Sequence, residues 1–169
     1  EMLIEGNIFV VDENPVAAAR QLCNRHIIKM PLETAQILCA VLYRHGKEDT
    51  IYKPTHAKHP SVLWAGDTRN NFVWLAQHGM ELCREYTRRY DKTHKCQAVI
   101  ESCIADMDIV PRGNRTPFVQ VMGETYQHTN PVIAYQRYIT FGKQYMNKGK
   151  GPQWKSSPPS WFRPTISTT

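Results

Sequence analysis

The chain has 169 residues, of which 41% are hydrophobic, and it carries a formal net charge of +6 at pH 7. This length and composition predict one globular domain and disfavour a disordered or fibrous protein. No apolar run approaches the roughly 18 residues of a membrane span, and no signal-peptide pattern is recognisable, so we expect no membrane partner and a cytoplasmic protein. The basic charge favours an anionic partner, DNA or a nucleotide.

Local patterns predict mostly helices. In chain order they predict a leader at 1–6, a short strand at 7–11 (NIFVV), and helices at 14–28, 31–46, 62–65, 95–103 and 131–145, with one long helix after Asp67. Asn14 with Pro15, Pro31 and Asp67 supply the helix starts, and Gly46 supplies a helix end. The five cysteines include no CxxC pair and indicate free thiols.

The fold class that follows is mainly α. We expect a single compact domain of five to six helices around the long central helix, with one or two short strands. The helical domain is expected at 1–146, and residues 147–169 form an extended tail rich in Pro, Ser and Lys. The aromatic residues Trp154, Trp161 and Phe162 are expected to hold this tail on the body.

Three residues are candidates for catalysis. His26, Lys29 and Glu33 lie on either side of a predicted helix break at Pro31, so their side chains can converge. A carboxylate beside a lysine and a histidine can act as a general acid or base. The alternative is a surface salt-bridge cluster in which Glu33 complements a helix dipole.

A histidine-bearing turn between two prolines is the next candidate. Thr55, His56, Lys58 and His59 can contact a phosphate or a base, or they can form a rigid turn with exposed histidines. Further ligands for a metal at the His-x-x-His pair are missing from the pattern. We therefore predict neither a metal nor a cofactor.

The long helix and the later segments supply further candidates for binding nucleic acid. Trp74 can stack on a base or be half-buried against a neighbouring helix. Arg88 and Arg89 can follow a phosphate backbone, or pair with the nearby acids Glu81 and Glu85. The remaining candidates are Asn71, His94, Arg137 and Tyr138.

The patterns HIIKMPLETAQIL, YKPTHAKHPSVLW, NFVWL, TPF and PSWF resemble a family of small, uncharacterised proteins of bacteriophages and large viruses. The chain is also similar to the phage pyrimidine-dimer DNA glycosylases. These small all-helical enzymes have a histidine seven residues before a catalytic glutamate, as His26 precedes Glu33 here. Tyr138 and the pair Gly142 and Lys143 resemble that family's aromatic, basic C-terminal segment.

The chain departs from those glycosylases at its beginning. They use their N-terminal amine as the nucleophile that forms an imine with the deoxyribose. Here residues 1–6 precede the first predicted strand, and the segment from Asn14 to Gln21 is additional. Lys29 can replace the terminal amine if desolvation lowers its pKa.

The sequence thus predicts a viral, DNA-acting enzyme of the host-cell cytoplasm that attacks a pyrimidine base or its glycosidic bond. Glu33 would be the general acid or base, and His26 would orient Glu33 or the substrate. One alternative is a viral enzyme that modifies bases or nucleotides without cutting the glycosidic bond. The other is a non-catalytic protein that binds nucleic acid or a host factor.

Overall fold

The computed structural model describes residues 6–165, and within them it contains seven α-helices, two 3-10 turns and no β-strand. The helices are α1 Pro15–Arg20, α2 Asn24–Arg44, α3 Pro60–Asp67, α4 Arg69–Tyr90, α5 Gln97–Ala105, α6 Pro131–Gly142 and α7 Met146–Gly149; the 3-10 turns are Met107–Ile109 and Glu124–Tyr126. The prediction of a mainly helical, compact domain is confirmed. None of the described helices is both long and apolar enough to span a bilayer.

The two longest helices, α2 and α4, lie antiparallel at the centre. Near the start of α2, Asn24 accepts a hydrogen bond from Arg89 at the end of α4 (3.1 Å). Halfway along the pair, α4 carries Gly79, where an added Cβ would lie only 2.7 Å from Cγ2 of Thr34. The glycine therefore lets the two helices approach closely. Helices α1, α3 and α5 pack around this pair.

The predicted strand at 7–11 is wrong. Phe9 has a positive φ of 58°, and the N–H of Val11 donates to the carbonyl of Phe9 (2.9 Å), which forms a tight turn. No strand lies beside this segment among the described residues. Its apolar side chains are instead buried among the helices, and this burial explains a composition that is typical of strands.

The predicted helix break at Pro31 is also wrong, because α2 continues through Pro31 from Asn24 to Arg44. A proline inside a helix removes one backbone hydrogen bond and costs about 3 kcal/mol. The extensive buried face of α2 offsets this cost. His26, Lys29 and Glu33 consequently share one face of a continuous helix rather than converging across a junction.

Other helix ends differ by smaller amounts. α1 ends at Arg20 instead of near residue 28, because Cys23 adopts an extended conformation before α2 begins. Asp67 belongs to α3, and Thr68 caps α4 by accepting a hydrogen bond from the N–H of Asn71 (3.1 Å). The extended backbone of Thr68 separates the two helices.

The C-terminal tail contacts the junction between α1 and α2 through its aromatic residues. The indole N–H of Trp154 donates to the carbonyl of Gln21 (2.9 Å), and that of Trp161 donates to the Gln21 side chain (2.7 Å). Phe162 packs on Trp154 with ring centroids 4.7 Å apart. The tail thus forms one wall at the end of the α2 and α4 pair.

We predict that Asn71→Ala destabilises the fold by about 1–3 kcal/mol, because it leaves buried polar groups without partners. The Asn71 amide nitrogen donates to the carbonyl of Trp64 (2.7 Å) and to Thr116 Oγ1 (2.8 Å), and its oxygen accepts from the Thr116 N–H (2.9 Å). Urea unfolding measures the change. The exposed neighbour Asn70 is the control, and equal effects of Asn70→Ala and Asn71→Ala would contradict the prediction.

Candidate active site

The centre of the candidate site is the carboxylate of Glu33 on α2. Its side chain is only 1% exposed, whereas that of Lys29, one turn earlier, is 45% exposed. One carboxylate oxygen accepts a hydrogen bond from the backbone N–H of Gly6 (3.0 Å), and the other lies 3.4 Å from the Lys29 ammonium nitrogen. A buried acid thus has a backbone nitrogen on one side and a solvent-accessible amine on the other.

Gly6 is held in place from α3. Its carbonyl accepts a short hydrogen bond from the hydroxyl of Ser61. Its φ is +75°, and an added Cβ would lie 2.2 Å from Nε2 of His59. Both facts favour glycine at this position. The expectation of a leader at 1–6 is therefore wrong for Gly6, which is buried in the site, while residues 1–5 lie outside the described residues.

The histidine-bearing turn lies next to Gly6. Thr55, His56 and His59 line a small cavity together with Gly6. Its volume of about 10 Å³ is the space of roughly one water molecule. The His59 Nδ1 accepts from the N–H of Ser61 (3.0 Å) and so caps α3. Burial and the neighbouring His56 lower the pKa of His59. Lys58 is exposed on the same turn and does not line the cavity.

His26 lies on the same helix face as Glu33 but in an apolar environment. Its ring stacks on Phe9, with centroids 4.1 Å apart and an interplanar angle of 15°. Neither ring nitrogen has a hydrogen-bond partner among the described residues. Burial, then the charges of Lys143, Lys29 and Arg25, lower its pKa to about 3. His26 is therefore neutral at pH 7.

Lys143 is a functional candidate that the patterns alone did not select. It is buried at the end of α6, with its ammonium nitrogen 4.8 Å from the ring centroid of Tyr138 and 5.5 Å from that of Phe9. It also donates to the hydroxyl of Tyr145 (3.4 Å). The resemblance of the Gly142 and Lys143 pair to the glycosylases' C-terminal segment was the signal that pointed to this lysine.

Three predicted nucleic-acid contacts are wrong because their side chains are buried. Trp74 is 5% exposed, donates to the carbonyl of Glu13 (2.8 Å) and stacks on His78, so no ring face is free for a base. The amide of Asn71 bridges α3 and the segment at Thr116. His94 bonds to the carbonyl of Ile28 (3.0 Å). All three side chains stabilise the packing of the helices.

The two arginines that were predicted to follow a phosphate backbone form ion pairs with acidic side chains. Arg88 binds both Glu81 and Glu85, and Arg89 binds Glu85 (2.8 Å) with its side chain mostly buried. Of the two alternatives for Arg88 and Arg89, pairing with nearby acids on α4 is the one that the structure contains. On α6, Tyr138 packs against Phe9 and Arg137 is exposed.

Within residues 6–165, no three His, Cys, Asp or Glu side chains come together in an arrangement that could hold a metal ion.

The family to which this chain belongs follows from a comparison with known protein families. The model of the pyrimidine dimer DNA glycosylase family matches residues 7–98, more than half of the 169 residues. The chain belongs to this family. Searches of curated proteins and of solved structures found no significant match.

Membership of the glycosylase family gives the chain a DNA glycosylase-like activity and DNA as its class of substrate. The matched region contains Glu33, His26, Lys29 and the histidine-bearing turn, and it ends before Lys143.

We predict that stability falls as pH decreases from about 6.5. The folded pKa of His26, about 3, lies below the ordinary 6.5, so between these values the unfolded chain binds a proton that the folded chain does not. Stability is fully present above about 6.5 and decreases by about 1.4 kcal/mol per pH unit per such histidine. His78, with a pKa lowered by burial to about 4, adds to this slope.

Urea unfolding at several pH values, with the ring signals of His26 followed by NMR, measures this dependence. His26→Phe keeps a ring against Phe9 and removes the titration, so its stability should decline less steeply with decreasing pH. Parallel curves for the two proteins, or a His26 signal that titrates near 6.5, would show that the environment of His26 is misassigned.

We predict that Gly6→Ala costs about 1–3 kcal/mol of stability, since the added Cβ meets His59 and the positive φ is strained. Thermal or urea unfolding measures the cost. Gly123→Ala is the matched control, because nothing lies within 4 Å of a Cβ there. An unchanged Gly6→Ala protein would mean that Gly6 does not pack under His59.

Proposed function

We propose that this protein is a DNA glycosylase that removes a pyrimidine base from DNA through an amine nucleophile, with Glu33 as the general acid and base. The observation that carries the proposal is the pair of nitrogens at one buried carboxylate. The Gly6 nitrogen lies 3.0 Å from Oε1 of Glu33, and the Lys29 nitrogen lies 3.4 Å from Oε2. An uncharged amine at either position can transfer its proton to Glu33 as it attacks.

The proposed reaction is a substitution at C1′ of the deoxyribose. The amine nitrogen forms a bond to C1′, and the bond from C1′ to the base breaks, so the base leaves with the electron pair and accepts a proton. The proton lost by the attacking amine goes to Glu33, and the departing base takes its proton from solvent. Glu33 then gives its proton to the ring oxygen O4′ as the sugar ring opens to an imine between C1′ and the enzyme, and addition of water to that imine releases the amine and the C1′ aldehyde.

Two groups are candidates for the nucleophile. In the 169-residue chain the Gly6 nitrogen belongs to a peptide bond and is not nucleophilic, whereas a chain that starts at Gly6 would carry its terminal amine at Glu33. Lys29 needs no cleavage, but its side chain is 45% exposed, so it lacks the desolvation that was expected of it as a nucleophile. In either reaction His26 would act as a neutral ring that stacks on Phe9 and so helps to position the segment that contains Gly6.

We predict that Glu33→Gln lowers base release by roughly 10² to 10⁴. Glutamine keeps the shape and an oxygen to accept from Gly6, but it cannot accept the proton. DNA affinity and thermal stability should change little. The assay measures base release from oligonucleotides with a damaged or modified pyrimidine, and the exposed Glu48→Gln is the control. A Glu33→Gln protein with full activity would remove Glu33 from the mechanism.

Borohydride trapping identifies the amine. The 169-residue chain, a chain that starts at Gly6 after protease cleavage of a fusion, and Lys29→Arg are compared, since a guanidinium keeps the charge but is a poor imine-forming group. An adduct at Gly6 confined to the shortened chain assigns the terminal amine, and an adduct at Lys29 in both chains assigns the lysine. Failure to trap either chain, with a Glu33-dependent change of another base substrate, would favour the base-modifying alternative.

A further inference from the structure

A groove runs along the end of the α2 and α4 pair and reaches the candidate active site. It consists of two adjoining depressions of about 500 and 690 Å³ that share Asn24, Tyr90 and Gln153. One depression extends to Lys29, and the other extends along the tail to Phe162. We call the combined feature the tail groove. Building on the proposed function, we infer that it binds the DNA strand that carries the target base.

The charge of the tail groove fits a phosphate backbone. Its charged lining consists of Arg25 and Lys29 at one end and Lys155 in the tail, and no aspartate or glutamate lines either described depression. Arg25, Lys29 and Lys155 are exposed, and of these Lys29 makes the ion pair to Glu33. Clustered exposed cations without acids attract a polyanion and release its counterions on binding.

The groove also offers aromatic surfaces. Tyr90, Trp154 and Phe162 line it, and the Lys155 ammonium nitrogen lies 4.9 Å from the ring centroid of Tyr90. Alternating cations and aromatic rings are characteristic of sites that follow a nucleic-acid strand, because each base presents a face that can stack.

The tail groove is connected to the candidate active site through Lys29. Lys29 lines its inner end and lies 3.4 Å from the carboxylate of Glu33, so a strand in the groove leads to the buried acid. Arg88 and Arg89 on α4 do not offer an alternative binding surface for the strand, because they are paired with Glu81 and Glu85. The tail groove is therefore the binding surface that the candidate site opens onto.

The experiment compares two double variants that each remove two exposed cations. Arg25→Gln with Lys155→Gln changes the tail groove. Arg44→Gln with Arg112→Gln is the control, since Arg44 ends α2 and the loop of Arg112 packs at the start of α4. The groove lies at the opposite end of α2 from the control positions, and a helix of this size is roughly 30 Å long. Binding of labelled single- and double-stranded oligonucleotides is measured at several salt concentrations.

The groove variant should bind DNA more weakly than the wild type, and the slope of log K against log salt should be shallower by about 1 to 2. The control should keep the wild-type slope. Equal losses in the two variants would overturn the groove assignment while leaving the proposed function intact. A wild-type protein that binds neither oligonucleotide at low salt would overturn both. Thermal unfolding of all proteins verifies that each variant is folded.

Discussion

A buried carboxylate needs partners, and in this protein that requirement positions the segment that starts at Gly6. Glu33 lies inside the helical body and accepts a hydrogen bond from the N–H of Gly6. Burying an acid without such partners would cost several kcal/mol. The Ser61 hydroxyl holds Gly6 from the opposite side, so α2, α3 and the first described residues meet at one point. The active site and the packing of the chain's first segment therefore depend on the same interaction.

The positions of the other site residues follow from this junction. Since Gly6 is fixed at Glu33, the segment from Ile8 to Val11 is drawn into the core. Phe9 then stacks on His26, and its ring centroid lies 5.5 Å from the ammonium nitrogen of Lys143. Burial first, and then the charges of Lys143, Lys29 and Arg25, lower the pKa of His26 and keep its ring uncharged. The site thus combines one acid with several basic groups in a water-poor environment, where charge interactions are strong.

The sequence was informative where a local rule governed the structure. The Asn14 and Pro15 start of α1 and the glycine end of α2 follow from capping preferences that neighbours enforce. Sequence patterns gave wrong predictions where burial among distant residues overrode the local conformational preference. Pro31 lies inside a helix whose packing offsets the lost hydrogen bond, and the NIFVV segment is buried without strand partners.

The site shows the same division. His26 and Glu33 were expected to converge across a helix break at Pro31, and they instead share one face of a continuous helix. Trp74, on a face with polar neighbours, was a poor candidate because its indole N–H bonds to the carbonyl of Glu13, just before α1, and its ring packs against Phe118. No spacing rule could show this, since the covering residues are distant in sequence. The same holds for the tail groove, which forms only where distant segments meet.

The bonds between the tail and Gln21 join residues separated by more than 130 positions. Contacts of such long range form late in folding, because a large loop must close before they stabilise anything. During synthesis, α1 to α5 can assemble as they emerge from the ribosome. Lys143 and the tail are synthesised after α1 to α5, and they complete the surroundings of Phe9, His26 and the groove. A nascent chain that has not yet reached the tail therefore lacks the surface proposed to bind DNA.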